Sequence, residues 1–372
     1  MNYYMITFTN LIREYNFFKK DINNCIKKVL KKGNYILGYE LQKFEEEFSS
    51  FHKVKYGIGV ANCTDGLELC LKALGVKAKD EVITPANTAI PTGMAILNAG
   101  ATPVFCDVNE NDLLMNPIEL KKLITKKTKA IIPVHLYGAM ADMRKIIEIA
   151  DGYNIPVIED AAQAHGSKRD GIYPGQISKA ASFSFYPTKN LGCYGDGGMI
   201  LTNDKRFMER LKLLRNYGQP DRYYSTITGQ NSRLDELQAA ILRVKLKKLN
   251  YLNKLRIKIA NRYRTSLKDY IDFLDYISSC KPVYHLLVAR VKDRDKFIEY
   301  MKSKKIQVFI HYPLPLHKQP PFKNRYKIIS SLKVTEAVVN NIVSLPISPF
   351  LSELELNYII KSIKSFYETS KS

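Results

Sequence analysis

The amino-acid sequence predicts an α/β protein with a large domain built on a mostly parallel sheet and a smaller C-terminal α+β domain. Between residues 81 and 160, strand-like apolar runs alternate with helix-like stretches. Such alternation produces βαβ units, whose sheet is parallel and covered by helices on both faces. A chain of 372 residues is also too long for one small core. We therefore expect a large domain over residues 1–245 and a small domain over residues 246–372.

The first half of the chain is divided into elements by the spacing of its apolar residues. Residues 11–52 look helical, with a break at the glycine-flanked turn 33–38. A strand over 55–60 leads into a helix near residue 63, for which Thr64 or Asp65 is the expected N-cap. The strand-like stretches that follow are 81–84, 103–108, 130–134 and 156–159, and the helix-like stretches among them are 89–98, 117–124 and 140–153.

The second half begins with an apolar run over 180–185 and a strand over 199–202, whose direction the sequence leaves open. A basic amphipathic helix is expected over 204–216, and one long helix over 235–268 is expected to bridge the two domains. The remainder has the pattern of a small α+β domain, with strands 284–290 and 307–310, helices 294–302, 335–341 and 353–366, and a proline-rich loop 311–321.

The composition is that of an ordinary globular enzyme, with 45% hydrophobic and 25% charged residues. No apolar run reaches the roughly 18 residues of a membrane span, and the N-terminus lacks the pattern of a signal peptide. The six cysteines have no metal-ligand spacing, so we expect no metal site and reduced thiols in the cytoplasm. The net charge of +21 is spread over helix-like segments, which favours solvated faces and anionic ligands over nucleic acid.

The stretch from residue 155 to residue 198 carries the clearest chemistry. One strand-like run ends there in Asp160, and a second, over 180–185, contains Ser184 and is followed by Lys189. Because ligands bind at the carboxyl ends of parallel strands, we expect both Asp160 and Lys189 beside one ligand. A lysine amine condenses with an aldehyde cofactor, and a carboxylate keeps the ring nitrogen of pyridoxal phosphate (PLP) protonated. The alternatives are that Asp160 caps a helix and that Lys189 is an ordinary surface lysine.

Several motifs, in order along the chain, resemble one protein family. They are GVANCTDGLELCLKALGVKAKDEVITPANTAIPT, VIEDAAQAHGS, FSFYPTKNLGCYGDGG, NYGQ and NSRLDELQAAILRVKL. They resemble the DegT/DnrJ/EryC1/StrS family of PLP-dependent aminotransferases, which act on nucleotide-linked keto sugars, and the resemblance extends over about residues 6–363. It implies the aspartate aminotransferase-like (type I PLP) fold, with PLP bound by the large domain. It also implies a homodimer whose active sites are shared between the subunits.

The resemblance also implies roles for individual residues. Lys189 would carry the cofactor, Asp160 would hold its ring nitrogen, and Gln163 would lie against the ring. The residues expected at the cofactor phosphate are Cys63, Thr64, Ser184 and, from the neighbouring subunit, Asn231. The residues expected near the sugar substrate are Asn34, Tyr35, Tyr186, His311 and Tyr312.

Some of these residues keep a second interpretation. Ser184 is alternatively a strand serine bonded to the backbone, Asn231 a helix cap, and His165 a hydrogen-bonded structural histidine. Cys193 is expected to serve packing. Ala89 stands where many family members carry an aromatic residue that stacks on the cofactor ring, so no stacking residue is assigned.

The resemblance favours transfer of an amino group from an amino acid, with L-glutamate the expected donor, to C3 of a dTDP-3-keto-6-deoxyhexose by a ping-pong mechanism. The alternatives are amination at C4 of a nucleotide-linked 4-keto sugar and a PLP-binding regulatory or sensory role without turnover. Lysine at position 189 argues against the family's dehydratases, which carry histidine there. A nucleic-acid-binding protein would show salt-dependent DNA binding. A desulfurase would need a reactive cysteine on a mobile loop.

Overall fold

A computed structural model describes residues 5–369 of the chain. The helices are α1 (Leu11–Lys32), α2 (Tyr39–Phe51), α3 (Cys63–Ala73), α4 (Ile90–Asn98), α5 (Pro117–Leu123), α6 (Met143–Asp151), α7 (Lys205–Leu214), α8 (Glu236–Leu246), α9 (Leu249–Leu267), α10 (Arg294–Ser303), α11 (Lys333–Val338) and α12 (Glu353–Thr369). The strands are β1 (Tyr56–Val60), β2 (Glu81–Pro85), β3 (Thr102–Cys106), β4 (Thr128–Ile131), β5 (Ile158–Asp160), β6 (Lys168–Arg169), β7 (Ala180–Ser184), β8 (Gly198–Thr202), β9 (Asp272–Phe273), β10 (Cys280–Lys281), β11 (Leu287–Arg290) and β12 (Ile342–Leu345).

The sheet of the large domain is mostly parallel, as the alternating pattern predicts. β2 pairs in parallel with β3 and β4, and β5 pairs in parallel with β7. Two parallel bridges, Ile131–Val157 and Val134–Asp160, connect the β4 side of the sheet to the β5 side. β8 is antiparallel to both of its neighbours, β7 and β1, which gives the direction that the sequence leaves open. The parallel strands therefore present their carboxyl ends at one common edge.

Helix α3 begins directly after β1, at that same edge. Asn62 is its N-cap, because the Asn62 Oδ1 accepts the N–H of Asp65 at 2.9 Å. The expectation that Thr64 or Asp65 is the cap is wrong, since both residues lie within the first turn. Asn62 has a short side chain with an amide oxygen that can accept a hydrogen bond, and it lies one residue before the helix begins.

The long helix expected over 235–268 is in fact two helices. α8 ends at Leu246, and α9 begins at Leu249. Leu246 and Leu249 are both buried in the same core cluster. Apolar residues therefore continue through the break at helical spacing, and the sequence pattern does not reveal it. The boundary expected between residues 245 and 246 stays a prediction.

The C-terminal part contains a small antiparallel sheet in the order β12–β11–β9. Apolar side chains of α9, α10 and α12 form one core cluster with it. The strand expected over 307–310 is wrong, because that segment makes only a single bridge, Phe309–Ser344. β12 was not expected. Both errors have one cause, since a short strand depends on the neighbour with which it pairs more than on its own residues.

Two further observations concern the cysteines and the helices. The six cysteines form no disulfide in the structure. Within residues 5–369, no helix combines the length and the apolar character that crossing a bilayer requires.

Candidate active site

A cavity of about 530 Å³ opens at the sheet edge where β5 and β7 end. Its wall consists of the first turn of α3, the loop before α4, the segment after β5 and the loop after β7. The residues that line it are Asn62, Cys63, Thr64, Asp65, Thr88, Ala89, Pro91, Val134, Asp160, Ala162, Gln163, Ser184, Tyr186, Lys189 and Asp196. The residues expected to bind the cofactor within one chain are all among them: Cys63, Thr64, Asp160, Gln163, Ser184 and Lys189.

Asp160 is placed by the sheet. It ends β5 in register with Ser182 of β7, and only 5% of its surface is exposed. Its Oδ2 accepts a hydrogen bond from Thr92 Oγ1 at 2.7 Å, and its Oδ1 accepts the N–H of Ala162 at 3.1 Å. Burial raises the pKa of Asp160, and these hydrogen bonds oppose that rise. The site thus contains a buried carboxylate that is suited to pair with a protonated ring nitrogen.

Lys189 lies on the tight loop that follows β7. Its N–H donates to the carbonyl of Tyr186 at 2.9 Å, and a Cβ on Gly192 would lie only 2.5 Å from the carbonyl oxygen of Pro187. The loop therefore folds back on itself and needs glycine there. Desolvation of the Lys189 amine lowers its pKa to about 8, while the nearby Asp160 opposes this change. Near neutral pH a fraction of the amine is unprotonated, and this is the form that attacks an aldehyde.

In the cofactor-free protein, we expect Lys189 to be acetylated with a midpoint near pH 8, because desolvation lowers its pKa to about 8 from the ordinary 10.5. The neutral amine is the nucleophile, so a lowered pKa moves its reaction to lower pH. Competitive acetylation from about pH 6 to about pH 11, read by mass spectrometry of the Lys189 peptide, measures this midpoint. Peptides with the exposed Lys254 and Lys258 calibrate the reagent. A Lys189 midpoint near 10.5 would contradict the desolvation argument.

The first turn of α3 faces the same cavity and suits a phosphate group. The first N–H groups of a helix have no intrahelical partner, and the helix dipole favours an anion beside them. Cys63 and Thr64 occupy this turn, and Ser184 ends the opposing strand β7. α3 approaches β7 so closely because Gly66 has no side chain, since a Cβ there would collide with Ser182 Oγ.

Ser184 and Tyr186 form the rim of the cavity next to the Lys189 loop. Ser184 Oγ accepts the N–H of Tyr186 at 3.3 Å. The alternative interpretation of Ser184 as a backbone-bonded serine is therefore correct as far as the oxygen is concerned. The hydroxyl hydrogen of Ser184 remains available to a ligand. The side chain of Tyr186 is 53% exposed at the mouth of the cavity, where it can contact a substrate.

Gln163 connects the cavity to the C-terminal part of the chain. Its Oε1 accepts the N–H of Tyr137 at 2.6 Å, and its Nε2 donates to the hydroxyl of Tyr312 at 3.1 Å. The Tyr137 hydroxyl donates to the His311 carbonyl at 2.6 Å. Burial raises the pKa of Tyr312 to about 12 and lowers the pKa of His311 to about 4, so both are neutral near pH 7. His311 and Tyr312 thus reach the cavity through Gln163, although neither lines it.

Besides His311 and Tyr312, three more predicted residues do not line the cavity of their own chain: Asn34, Tyr35 and Asn231. Asn231 is exposed, and it is not a helix cap, because α8 begins at Glu236 with Asp235 as its N-cap. The Asn34–Tyr35 turn is attached to the same region, since the carbonyl of Tyr35 accepts the N–H of Glu236 at 3.0 Å. Asn34 and Tyr35 are exposed, as Asn231 is.

Several residues at the site were not predicted from the sequence. Thr88 and Thr92 lie on either side of the start of α4, and Thr92 contacts Asp160 directly. The available signal was the pair of hydroxyls four residues apart at a helix start, which places them on one face. Ala89 lines the cavity wall between them, so this position contributes only a methyl group to the wall.

His165 and Cys193 belong to the packing beneath the site. His165 is fully buried among the rings of Phe48, Phe183 and Phe185. Burial lowers the pKa of His165 well below its ordinary value and keeps the ring neutral. The thiol of Cys193 is buried against the carbonyl of Phe185 at 3.0 Å.

The side chains of the cavity fit PLP. An amine with a lowered pKa, a buried carboxylate and an open helix N-terminus are the three groups that its aldehyde, its ring nitrogen and its phosphate require. All three converge on one cavity of about 530 Å³. Among the described residues, no group of three or more His, Cys, Asp and Glu side chains is arranged to hold a metal ion.

Comparisons with known proteins agree with this geometry. The model of the DegT/DnrJ/EryC1/StrS aminotransferase family matches residues 17–364. The dTDP-3-amino-3,6-dideoxy-alpha-D-galactopyranose transaminase of Aneurinibacillus thermoaerophilus is 44% identical, over 97% of this chain and 99% of its own. A pleiotropic regulatory protein of Geobacillus stearothermophilus is 40% identical, over 96% and 97%. The crystal structure of S. venezuelae DesV in complex with a ketimine intermediate superimposes with a TM-score of 0.95, at 37% identity and coverages of 98% and 99%. The fold expected from the sequence is thereby confirmed, and the chain belongs to the DegT/DnrJ/EryC1/StrS aminotransferase family.

Proposed function

We propose that this PLP-dependent aminotransferase moves an amino group from an amino acid to a nucleotide-linked keto sugar, at C3 of a dTDP-3-keto-6-deoxyhexose. The observation that carries the proposal is the convergence of Lys189, Asp160 and the first turn of α3 on one cavity. The choice of C3 is supported by the 44% identical Aneurinibacillus relative, which is named for a dTDP-3-amino sugar.

Each group of the cavity has a defined task in this reaction. When bound, PLP supplies an electron sink for the charge that develops at the α-carbon of the donor. Asp160 would hold the proton on the ring nitrogen. Lys189 Nζ would bind the cofactor at rest and, once the donor is bound, would take the proton from the donor's α-carbon. We infer that L-glutamate is the donor and that its keto acid leaves before the sugar binds, which is a ping-pong order.

A second function is favoured by one observation. The Geobacillus relative, 40% identical, is named as a pleiotropic regulatory protein. A regulatory protein with the same cavity would bind PLP without turning over a sugar. Amination at C4 of a 4-keto sugar would use the same residues of this chain and differ only in how the sugar is seated.

The test begins with the protein reconstituted with PLP and its visible absorbance spectrum. L-Glutamate is expected to convert the band of the lysine-bound cofactor into that of pyridoxamine phosphate. The second half is run in reverse with 2-oxoglutarate, comparing a dTDP-3-amino-6-deoxyhexose with its 4-amino isomer. Turnover of the 3-amino sugar alone supports the proposal, and turnover of the 4-amino sugar alone assigns C4. A cofactor band that responds to neither donor nor amino sugar favours the regulatory function.

We infer that the protein is a homodimer in which each cavity is completed by the partner. Of the described residues that line the cavity, only Lys189 is a cation, whereas a phosphorylated cofactor and a sugar nucleotide carry several negative charges. Asn231 and the Asn34–Tyr35 turn lie outside their own cavity. The adjacent side chains of Ile36, Leu37 and Tyr39 are 41%, 40% and 52% exposed. Contiguous apolar exposure of this kind is typical of an interface.

Mixing two inactive variants, Lys189→Ala and Asn231→Asp, is expected to restore activity. If Asn231 serves the partner's cavity, each hybrid dimer has one doubly altered site and one intact site. Random exchange makes half of the dimers hybrid, so recovery should approach roughly a quarter of wild-type activity. Activity after subunit exchange, verified with two differently tagged chains, gives the measurement.

The matched control mixes Lys189→Ala with Asp160→Asn. Both residues belong to the cavity of their own chain, so each hybrid site carries one substitution and no activity should return. Equal recovery in the two mixtures, or none in the first despite exchange, would place Asn231 outside the partner's site.

We also propose a cytoplasmic location. Six cysteines without a disulfide are the usual state in a reducing compartment.

A further inference from the structure

Asp160 is held by hydroxyl groups as well as by the backbone. Thr92, in the first turn of α4, donates from Oγ1 to Asp160 Oδ2 at 2.7 Å. Thr88 Oγ1 lies 3.1 Å from Thr92 Oγ1. Both threonines are almost fully buried, with Thr92 at 0% and Thr88 at 1% exposure. Both hydroxyls are therefore shielded from bulk solvent, and each contact is made within the protein.

Counting hydrogens gives these contacts a direction. An ionised carboxylate only accepts hydrogen bonds, so the single hydroxyl hydrogen of Thr92 must point to Asp160. The oxygen of Thr92 is then free to accept, and Thr88 is the donor of the second bond. If Asp160 were protonated on Oδ2, the order would reverse along the whole chain of hydroxyls. An ionised Asp160 therefore requires the donor order Thr88→Thr92→Asp160, which the two distances allow.

The backbone favours the same ionisation state. Ala162 donates its N–H to Asp160 Oδ1 at 3.1 Å. The side chain of Asp160 also lies at the N-terminal turn of α4, where a helix dipole stabilises negative charge. Burial acts in the opposite direction and raises the pKa of Asp160; the Thr92 hydrogen bond is the leading influence that lowers it.

We propose that Thr92 is a positioning residue that keeps Asp160 ionised for the cofactor's ring nitrogen, and that Thr88 orients the Thr92 hydroxyl for this task. The proposal rests on the proposed function to the extent that PLP is the ligand of the cavity. It extends the site from the residues that line the cavity to Thr92, which does not line it. Helix packing alone is the competing explanation for a buried threonine.

The titratable groups that act on Asp160 from the surrounding elements are Lys189, Cys63, His135 and Tyr312. Lys189 and His135 favour the ionised carboxyl, and Cys63 and Tyr312 are neutral partners whose thiol and hydroxyl pKa values are raised by burial. None of them is changed by a substitution at position 92, so a shift in that variant reports the lost hydroxyl.

The experiment compares Thr92→Val, which removes the hydroxyl at nearly constant volume, with Thr92→Ser, which keeps it. In the cofactor-free protein, the Asp160 carboxyl is followed over pH by 13C NMR with labelled aspartate, assigned by its absence in Asp160→Asn. The Thr92→Val protein is expected to titrate Asp160 at higher pH, and Thr92→Ser to resemble wild type. The dissociation constant of added PLP should rise about tenfold in Thr92→Val, the lower end for a hydrogen bond to a charged group.

Thr84→Val is the matched control, because Thr84 is also fully buried and its Oγ1 donates at 3.0 Å to the carbonyl of Ile132, away from Asp160. It should leave both readouts unchanged. Thr88→Val keeps the Thr92–Asp160 hydrogen bond but removes the hydroxyl that donates to Thr92. It should shift both readouts in the same direction as Thr92→Val, by a smaller amount. If Thr92→Val does not fold, Thr88→Val provides the test.

The outcomes separate this inference from the proposed function. An Asp160 titration in Thr92→Val and Thr88→Val that matches wild type overturns the inference, even if wild type binds PLP. Failure of wild type to bind PLP overturns the proposed function, while the titration of the cofactor-free protein still decides the role of Thr92. Equal shifts in Thr92→Ser and Thr92→Val would assign Thr92 to helix packing.

Discussion

Replacing Lys189 with alanine is expected to lower turnover by at least about four orders of magnitude, the upper range for one positioned proton-transfer group. The loss is this large because we assign two tasks to one side chain. Its amine, with a pKa lowered to about 8 by desolvation, is proposed to attach the cofactor and then to move the proton at the donor's α-carbon. The measurement is the rate of the full reaction, together with borohydride reduction and mass spectrometry, which mark the lysine that bears the cofactor.

The matched control is Lys179→Ala, because Lys179 directly precedes β7, the strand that leads to the Lys189 loop. Lys179 pairs with Asp204 at 2.6 Å and does not line the cavity. It should keep near-wild-type turnover and should carry no cofactor after reduction. A pyridoxyl adduct on any lysine other than Lys189 in the wild-type protein would refute the assignment, whatever the activity of the variant.

Replacing Asp160 with asparagine is expected to slow the reaction by about three orders of magnitude, which is typical when one buried electrostatic contact of a transition state is lost. Asparagine keeps the size of the side chain but carries no charge to stabilise a protonated ring nitrogen. The deprotonated ring then accepts less of the charge that develops at the donor's α-carbon. Steady-state kinetics and the 15N chemical shift of labelled PLP measure the rate and the protonation state separately.

If Asp160 holds the ring proton, the 15N shift of PLP and the reaction rate must change together in Asp160→Asn. The 15N shift must move toward that of an unprotonated pyridine, and the rate must fall with it. Asp196→Asn is the control, because Asp196 lines the same cavity and is not assigned to the ring nitrogen. A protonated ring in Asp160→Asn with normal turnover would mean that another group of the site holds the proton.

Much of the fold was predictable because it depends on the spacing of apolar residues along short stretches of the chain. The alternation of apolar runs and helix-like stretches over residues 81–160 predicted the βαβ units, and β2, β3, β4 and β5 form a parallel arrangement there. The wrong predictions concern a short strand and a helix whose apolar pattern continues through a break. The segment 307–310 has strand-like residues but makes a single bridge, and the apolar spacing from Leu246 to Leu249 continues across the break between α8 and α9.

The sequence by itself determined which chemistry the protein can perform. Asp160 at the end of one strand and Lys189 after the end of another are reactive side chains at positions that a parallel sheet brings to one edge. These two assignments depend only on residues that are close in the chain and on the regular geometry of strands and helices. The roles of Cys63 and Thr64 at the phosphate are instead implied by the family resemblance.

The tertiary structure alone decided how those groups are held. Thr92 and Asp160 are 68 residues apart and meet at 2.7 Å, and Gln163 and Tyr312 are 149 residues apart and meet at 3.1 Å. Such contacts depend on how helices and loops pack across the sheet. The residues next to a threonine or a glutamine in the sequence do not indicate which distant residue it will contact. Local periodicity therefore specifies the reactive residues, whereas the packing of distant elements sets the charge and the orientation with which they act.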